Sequence, residues 1–173
     1  MKCNRLVDTG RRQFLRGGIM ASAGAAATTL IGTQEAKAQA ALARVDYPSN
    51  RLANLTDLVV NEPFDIAYPD DDSPGVLLKL GQAVEGGAGP DGDIVAYSVL
   101  CPHKGWYLNY NGDDRTMNCP GHHSRFDVEA GGQQVWGHST SNLPQFNLRV
   151  DDDGEIYAEG VDELIYGRLS NVL

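Results

Sequence analysis

The sequence predicts an all-β fold, and three observations carry that expectation. Beyond residue 38 the apolar residues fall in short alternating or continuous runs, and no long stretch with the 3.6-residue period of a helix appears. Clusters of Gly, Pro, Asp and Ser punctuate those runs at the intervals expected of turns. The size and composition, 173 residues with 42% hydrophobic and 21% charged, suit one globular core plus a tail.

The tail comes first. Thr9-Gly-Arg-Arg-Gln-Phe-Leu-Arg16 resembles a twin-arginine export signal, S/T-R-R-x-F-L-K. An uncharged run rich in Ala, Gly and Thr follows from Gly17 to Gly32, and Ala36-Lys-Ala38 offers a small-residue cleavage site, with Ala38-Gln-Ala40 as a second register. Residues 1–38 are therefore read as a signal peptide and 39–173 as the mature domain, periplasmic after export by the twin-arginine route. A retained leader is the alternative, and the only route to membrane association. Its apolar run of about 16 weakly hydrophobic residues falls short of the roughly 20 that a spanning helix needs.

Charge divides the same way. The whole chain carries −9, but the leader holds six Lys/Arg against Asp8 and Glu35, so the remainder has 8 basic and 21 acidic residues, a net charge of about −13. A domain that acidic repels nucleic acid and anionic membrane, and either attracts a basic redox partner or simply stays soluble. Of three cysteines, Cys3 lies in the leader, which leaves Cys101 and Cys119. Both are taken up by the site described next, so no structural disulfide is expected, although an exported protein has access to one.

After the leader, Phe64-Asp-Ile-Ala-Tyr68 alternates as a strand and ends at the turn cluster Pro69-Asp-Asp-Asp-Ser-Pro-Gly75; Val76-Leu-Leu-Lys-Leu80 reads as a more buried strand. Gly86 to Gly92 is a glycine-rich hairpin connection, and Ile94-Val-Ala-Tyr-Ser-Val99 leads into the first of two unusual loops. Val135-Trp136, Phe146-Asn-Leu-Arg-Val150 and Ile156-Tyr-Ala158 continue the pattern, with Asp151-Asp-Asp-Gly154 as a hairpin turn between the last two. Asn54-Leu55-Thr56 matches a glycosylation acceptor, read as chance beside such a leader.

The two loops, Cys101-Pro-His103-Lys-Gly-Trp106 and Cys119-Pro-Gly-His122-His123-Ser124, each bring one sulfur and one imidazole: C-x-H, 15 residues, then C-x-x-H. Two thiolates and two neutral imidazoles are the donors of a 2Fe-2S cluster with sulfur on one iron and nitrogen on the other. A tetrahedral zinc site uses the same four residues, although structural zinc sites usually pair like with like in each loop. Metal ligands are thus expected at Cys101, His103, Cys119 and His122. His123 and His138 fall outside the spacing and are read as non-ligands. Gly105 and Gly121 are expected to let backbone N–H groups approach the sulfurs, Pro102 and Pro120 to stiffen the turns, and Ser124 to offer its hydroxyl to a bridging sulfide.

These loops resemble the Rieske motif, C-x-H-x-G-C with C-P-C-H-G-S-x-Y. Trp106 and Gly121 stand where many quinol-oxidising members have a disulfide, and Phe126 stands where they have a tyrosine. With the flanking blocks Gly89-Pro-Asp-Gly-Asp-Ile-Val95, Gly131-Gly-Gln-Gln-Val-Trp-Gly137, Asn142-Leu-Pro-Gln145 and Val161-Asp-Glu-Leu-Ile-Tyr-Gly-Arg-Leu169, the chain resembles the small Rieske subunit of bacterial arsenite oxidase over nearly its whole length. That resemblance implies an antiparallel β barrel or sandwich with an inserted cluster-binding subdomain at about 97–144. Ser139-Thr-Ser-Asn-Leu-Pro144 would be a third loop covering one Rieske-type 2Fe-2S cluster. It also implies an electron-transfer subunit of an oxidoreductase whose large molybdopterin subunit holds the substrate site, with a periplasmic cytochrome c or small copper protein as acceptor. His103 and His122 would ligate the outer iron. Trp106 over Gly121 is expected to replace the bridge by packing, and Phe126, lacking a hydroxyl, to leave the cluster below the top of the family's range of potential. A membrane-anchored subunit of a quinol-oxidising cytochrome complex is the alternative function.

Overall fold

The computed structural model describes residues 46–172, so the leader, its cleavage registers and Cys3 lie outside the described residues. Ten short strands run in order: β1 (Asn50–Asn54), β2 (Pro63–Ala67), β3 (Pro74–Lys79), β4 (Ile94–Ser98), β5 (Asn109–Asn111), β6 (Thr116–Asn118), β7 (Arg125–Asp127), β8 (Gln133–Trp136), β9 (Phe146–Val150) and β10 (Glu155–Val161). One 3-10 turn, Leu55–Asp57, interrupts them. The strands form three antiparallel sheets, ordered β1-β10-β9, β2-β3-β4 and β5-β6-β7-β8.

Strands β3 and β4 sit between two cores, which explains why their sequence is almost continuously apolar. Side chains alternate across a strand. Leu77, Ile94 and Ala96 face one apolar cluster with Phe146, Ile156 and Ala158 of the β1-β10-β9 sheet, Tyr68 just after β2 and Ile165 after β10. Val76, Leu78, Val95 and Tyr97 face a second with Leu108, Met117, Phe126, Val128 and Leu143 from the four-stranded meander. That meander, β5 to β8, is inserted between β4 and β9, and it carries both candidate loops. The Tyr97 hydroxyl donates to the Val128 carbonyl at 3.0 Å, tying the central sheet to the insertion through the core; burial pushes that phenol well above its ordinary range.

Several sequence expectations appear with adjusted edges. The Asp151–Gly154 turn joins β9 to β10, with Gly154 at φ +78° and its N–H on the Asp151 carbonyl at 3.0 Å. Asn54 caps the 3-10 turn, accepting from the Thr56 N–H at 3.0 Å, and its amide donates to Asp153 across to the β9–β10 hairpin.

Candidate metal centre

The first loop leaves β4 and folds back at once. The Gly105 N–H donates to the Cys101 carbonyl at 2.7 Å and the Cys101 N–H to the Trp106 carbonyl at 2.8 Å, a closure that needs Gly105 at φ +68°. The second loop repeats the scheme: the His123 N–H donates to the Cys119 carbonyl at 3.1 Å and the Cys119 N–H to the Ser124 carbonyl at 2.8 Å. Here the left-handed residue is His123 itself, at φ +60°.

These turns separate the donors by depth. Cys101 and Cys119 are buried in the apolar cluster shared with Phe126, unbonded to each other and with their thiols within hydrogen-bonding reach. His103 is half-buried and His122 exposed, with ring centroids 4.9 Å apart. The structure thus brings together all four residues expected as ligands. Burial pushes the Cys101 thiol up; the N–H groups of His103 and Lys104, aimed at its sulfur, oppose that shift. His103 is held below its ordinary range by burial first, then by His122, Lys104 and His138, a shift toward the neutral form that has a lone pair to offer a metal.

One atom tests the fit to a metal cluster. The His103 Nδ1 is shielded from solvent and has no hydrogen-bond partner. An unpaired buried nitrogen costs roughly 1–3 kcal/mol, and ligation removes that cost. Among the described residues no three His, Cys, Asp or Glu side chains converge to hold a single ion. Two buried sulfurs and two more exposed imidazoles match the two-and-two donor set of a two-iron cluster.

The surrounding residues show how the two loops are held. Gly105 does not present its own N–H to sulfur, since the Cys101 carbonyl takes it; its left-handed turn instead aims the N–H groups of His103 and Lys104. Gly121 makes room for a ring: a Cβ there would lie 3.0 Å from the Trp106 Cδ2. Trp106 therefore spans the two loops, although 53% of it stays exposed. Ser124 is fully buried, and its Oγ accepts from the His138 and Ser139 N–H groups at 3.1 and 3.0 Å. Its own proton has no acceptor among the described residues. Phe126 is fully buried in β7, beside the cysteines in the same cluster.

Three features were not assigned a role from sequence. A Cβ at Gly137, at φ +95°, would lie 2.4 Å from the Ser124 Cα, so the third loop docks on the second through a bare backbone; glycine alone gives no sign of its neighbour. His138, exposed, stacks on His103 at 5.9 Å, and with His122, His123, Gln134, Trp136 and Gly137 it lines an open cleft at the imidazole edge. Tyr166 packs its ring on Gly105.

Comparison with known proteins agrees with this geometry. A family model described as the Rieske 2Fe-2S domain matches residues 55–147. The chain is 40% identical over 165 residues to iodate reductase subunit IdrB of Denitromonas iodatirespirans, covering 93% of this chain and 85% of that protein. It is 41% identical over 127 residues to the subunit of the same name from Pseudomonas sp. strain SCT, covering 72% and 66%. The soluble domain of Rieske protein II (soxF) from Sulfolobus acidocaldarius shares the fold, with TM-score 0.62 at 23% identity, over 73% of this chain and 85% of that one. The cofactor implied is one Rieske-type 2Fe-2S cluster, and the chain belongs to the Rieske 2Fe-2S domain family.

Proposed function

We propose that this chain is the one-electron transfer subunit of an exported oxidoreductase whose large partner subunit carries molybdopterin and the substrate site. Cys101, His103, Cys119 and His122 are the cluster ligands in this reading. The bound cluster supplies a single electron-accepting and electron-donating site. The chain's own residues set where that site communicates: the cysteines anchor it in the core, and His103 and His122 bring its other edge to the surface. The single observation that carries the proposal is this separation of fully buried sulfur from half-buried and exposed imidazole on two loops of one insertion.

The surface at that edge fits a protein partner. Residues 101–108, 119–126 and 134–144 contain no Asp or Glu, although the domain beyond the leader holds 21. Trp106, Tyr107 and Trp136 are exposed there. The loops at the imidazole edge contribute no carboxylate of their own, so any steering of a basic cytochrome c or small copper protein comes from acidic residues outside those loops.

Iodate is the substrate best supported for the assembled enzyme, because both named relatives are iodate reductase subunits and one aligns over nearly the whole chain. Arsenite is the second reading, favoured by the motif and flanking blocks. The two differ in the direction of electron flow, into the large subunit for a reduction and out of it for an oxidation, and this subunit serves either. The leader, outside the described residues, supports periplasmic placement after export with the cluster already inserted. Purification of the native complex tests the proposal: a large molybdenum-containing partner, with iodate reduction or arsenite oxidation in the complex, is expected. A cytochrome b partner would overturn it in favour of quinol oxidation.

A further inference from the structure

The C-terminal segment after β10 has no part in either sheet of the barrel, yet it is fastened at three points. Ile165 is buried in the barrel core, and its N–H donates to the Asn171 Oδ1 at 2.9 Å. Arg168 makes a two-pronged contact with the Asp70 carboxylate, at 2.7 and 2.6 Å, on the turn between β2 and β3. Asn171, buried, also donates to the Glu163 carbonyl at 2.8 Å and the Tyr47 hydroxyl at 3.1 Å. Between the first two anchors the chain makes a tight turn: the Arg168 N–H reaches the Ile165 carbonyl at 3.2 Å, and Gly167 adopts φ +84°. Tyr166 stands at the tip of that turn.

The ring of Tyr166 lies against the first ligand loop. A Cβ at Gly105 would sit 2.4 Å from both Cδ1 and Cε1 of Tyr166, so the ring rests on the bare Cα of the residue that closes the Cys101–His103 turn. A tail used only to finish the barrel would not need an aromatic ring at its outermost point, 40% exposed, touching an element of the other core. We infer that the C-terminal segment is a strut, anchored in the barrel by Ile165, Arg168 and Asn171, through which Tyr166 positions the first ligand loop over the cluster. Tyr166 is a positioning residue: it acts through the backbone of Gly105. The inference rests on the ligand assignment above.

Full-length holoprotein tests it, with two readouts on each variant. These are the half-time of bleaching of the visible cluster absorption at fixed temperature and the electron paramagnetic resonance spectrum of the reduced protein. Tyr166→Ala is expected to bleach about tenfold faster and to broaden the spectrum, since His103 then samples more than one orientation. Tyr166→Phe, which keeps the ring, is expected to behave as wild type. Arg168→Met, which releases the turn without touching the loop, is expected to shift both readouts in the direction of Tyr166→Ala. Wild-type bleaching and an unbroadened spectrum in Tyr166→Ala would overturn the inference. So would a Tyr166→Phe variant as impaired as Tyr166→Ala, which would assign the effect to the hydroxyl. An equal loss of thermal stability in cluster-free Tyr166→Ala would also overturn it, as a general folding effect. Failure of the ligand assignment would show differently, as a wild-type protein that holds no iron and sulfide.

Discussion

Replacing Trp106 by alanine removes a ring that bridges the two ligand loops. A fully buried aromatic ring truncated to alanine costs about 3–5 kcal/mol, but 53% of Trp106 remains exposed and only the face over Gly121 is in contact. Roughly half of that cost applies, about 1.5–2.5 kcal/mol. Loss of the cluster requires the loops to part, so this loosening corresponds to bleaching between about tenfold and about sixtyfold faster, at about 1.4 kcal/mol per factor of ten. The assay is the decay of visible absorption in purified holoprotein at a fixed mild temperature. The same geometry predicts a rescue. Trp106→Cys with Gly121→Cys places a bridge where quinol-oxidising relatives have one, closing a loop of about 15 residues for a gain of about 3 kcal/mol. Cluster lifetime in the oxidised double variant should match or exceed wild type. An unchanged lifetime in Trp106→Ala would mean that the ring does not hold the loops and is a surface feature, free for a partner.

Replacing Cys101, His103, Cys119 or His122 by alanine should abolish the visible spectrum and the bound iron, while His123→Ala and His138→Ala keep both; loss in His138→Ala with retention in His122→Ala would mean a different ligand set. Ser124→Ala deprives the His138 and Ser139 N–H groups of their acceptor, at roughly 1–3 kcal/mol for a buried donor, and removes a hydroxyl free to donate to sulfide. Thermal unfolding should come earlier, and voltammetry should show a lower potential. Phe126→Tyr adds a donor beside the cysteines. A hydrogen bond to a charged acceptor is worth roughly 1.5–3 kcal/mol, of which only the part differing between redox states counts, so with about 59 mV per tenfold change the potential should rise by some tens of millivolts. The Asp70 carboxyl is held below its ordinary range first by Arg168, so its contribution is present above the ordinary aspartate range near pH 3.9 and is lost as pH falls through the lowered value. Amide exchange of residues 162–172, corrected for intrinsic rate, should therefore accelerate in acid, and Asp70→Asn should show the acceleration at neutral pH.

How much was legible depended on whether a residue's role was local. The ligand spacing, the alternation of β2 and β9 and the Asp151–Gly154 turn are local patterns, and each stands in the structure where the sequence places it. The continuous apolar run in β3 correctly indicated burial, but only the structure shows that two different cores face its two sides. Strands β5, β6 and β7 are three residues each and largely polar, too short for any periodicity, and are fixed by pairing within the meander. Strand β1, Asn-Arg-Leu-Ala-Asn, buries only Ala53 fully and owes its extended form to pairing with β10. Gly137 and Gly105 matter for what rests on them, the second ligand loop and Tyr166, both brought there by tertiary folding. Trp106 over Gly121 is legible as a pair in the sequence, whereas the half of the ring left in solvent is set by tertiary packing and shows only in the structure.

One cluster held by two sulfurs inside the protein and two imidazoles nearer its surface underlies every prediction above. Pulsed electron–nuclear resonance on the reduced holoprotein, grown with nitrogen-15 histidine, tests that arrangement in one experiment. Two distinct strongly coupled histidine nitrogens on a two-iron signal are predicted, one each from His103 and His122. A two-iron signal without nitrogen coupling would mean all-sulfur ligation, and a metal-loaded protein with no signal at all would mean zinc; either result contradicts the account.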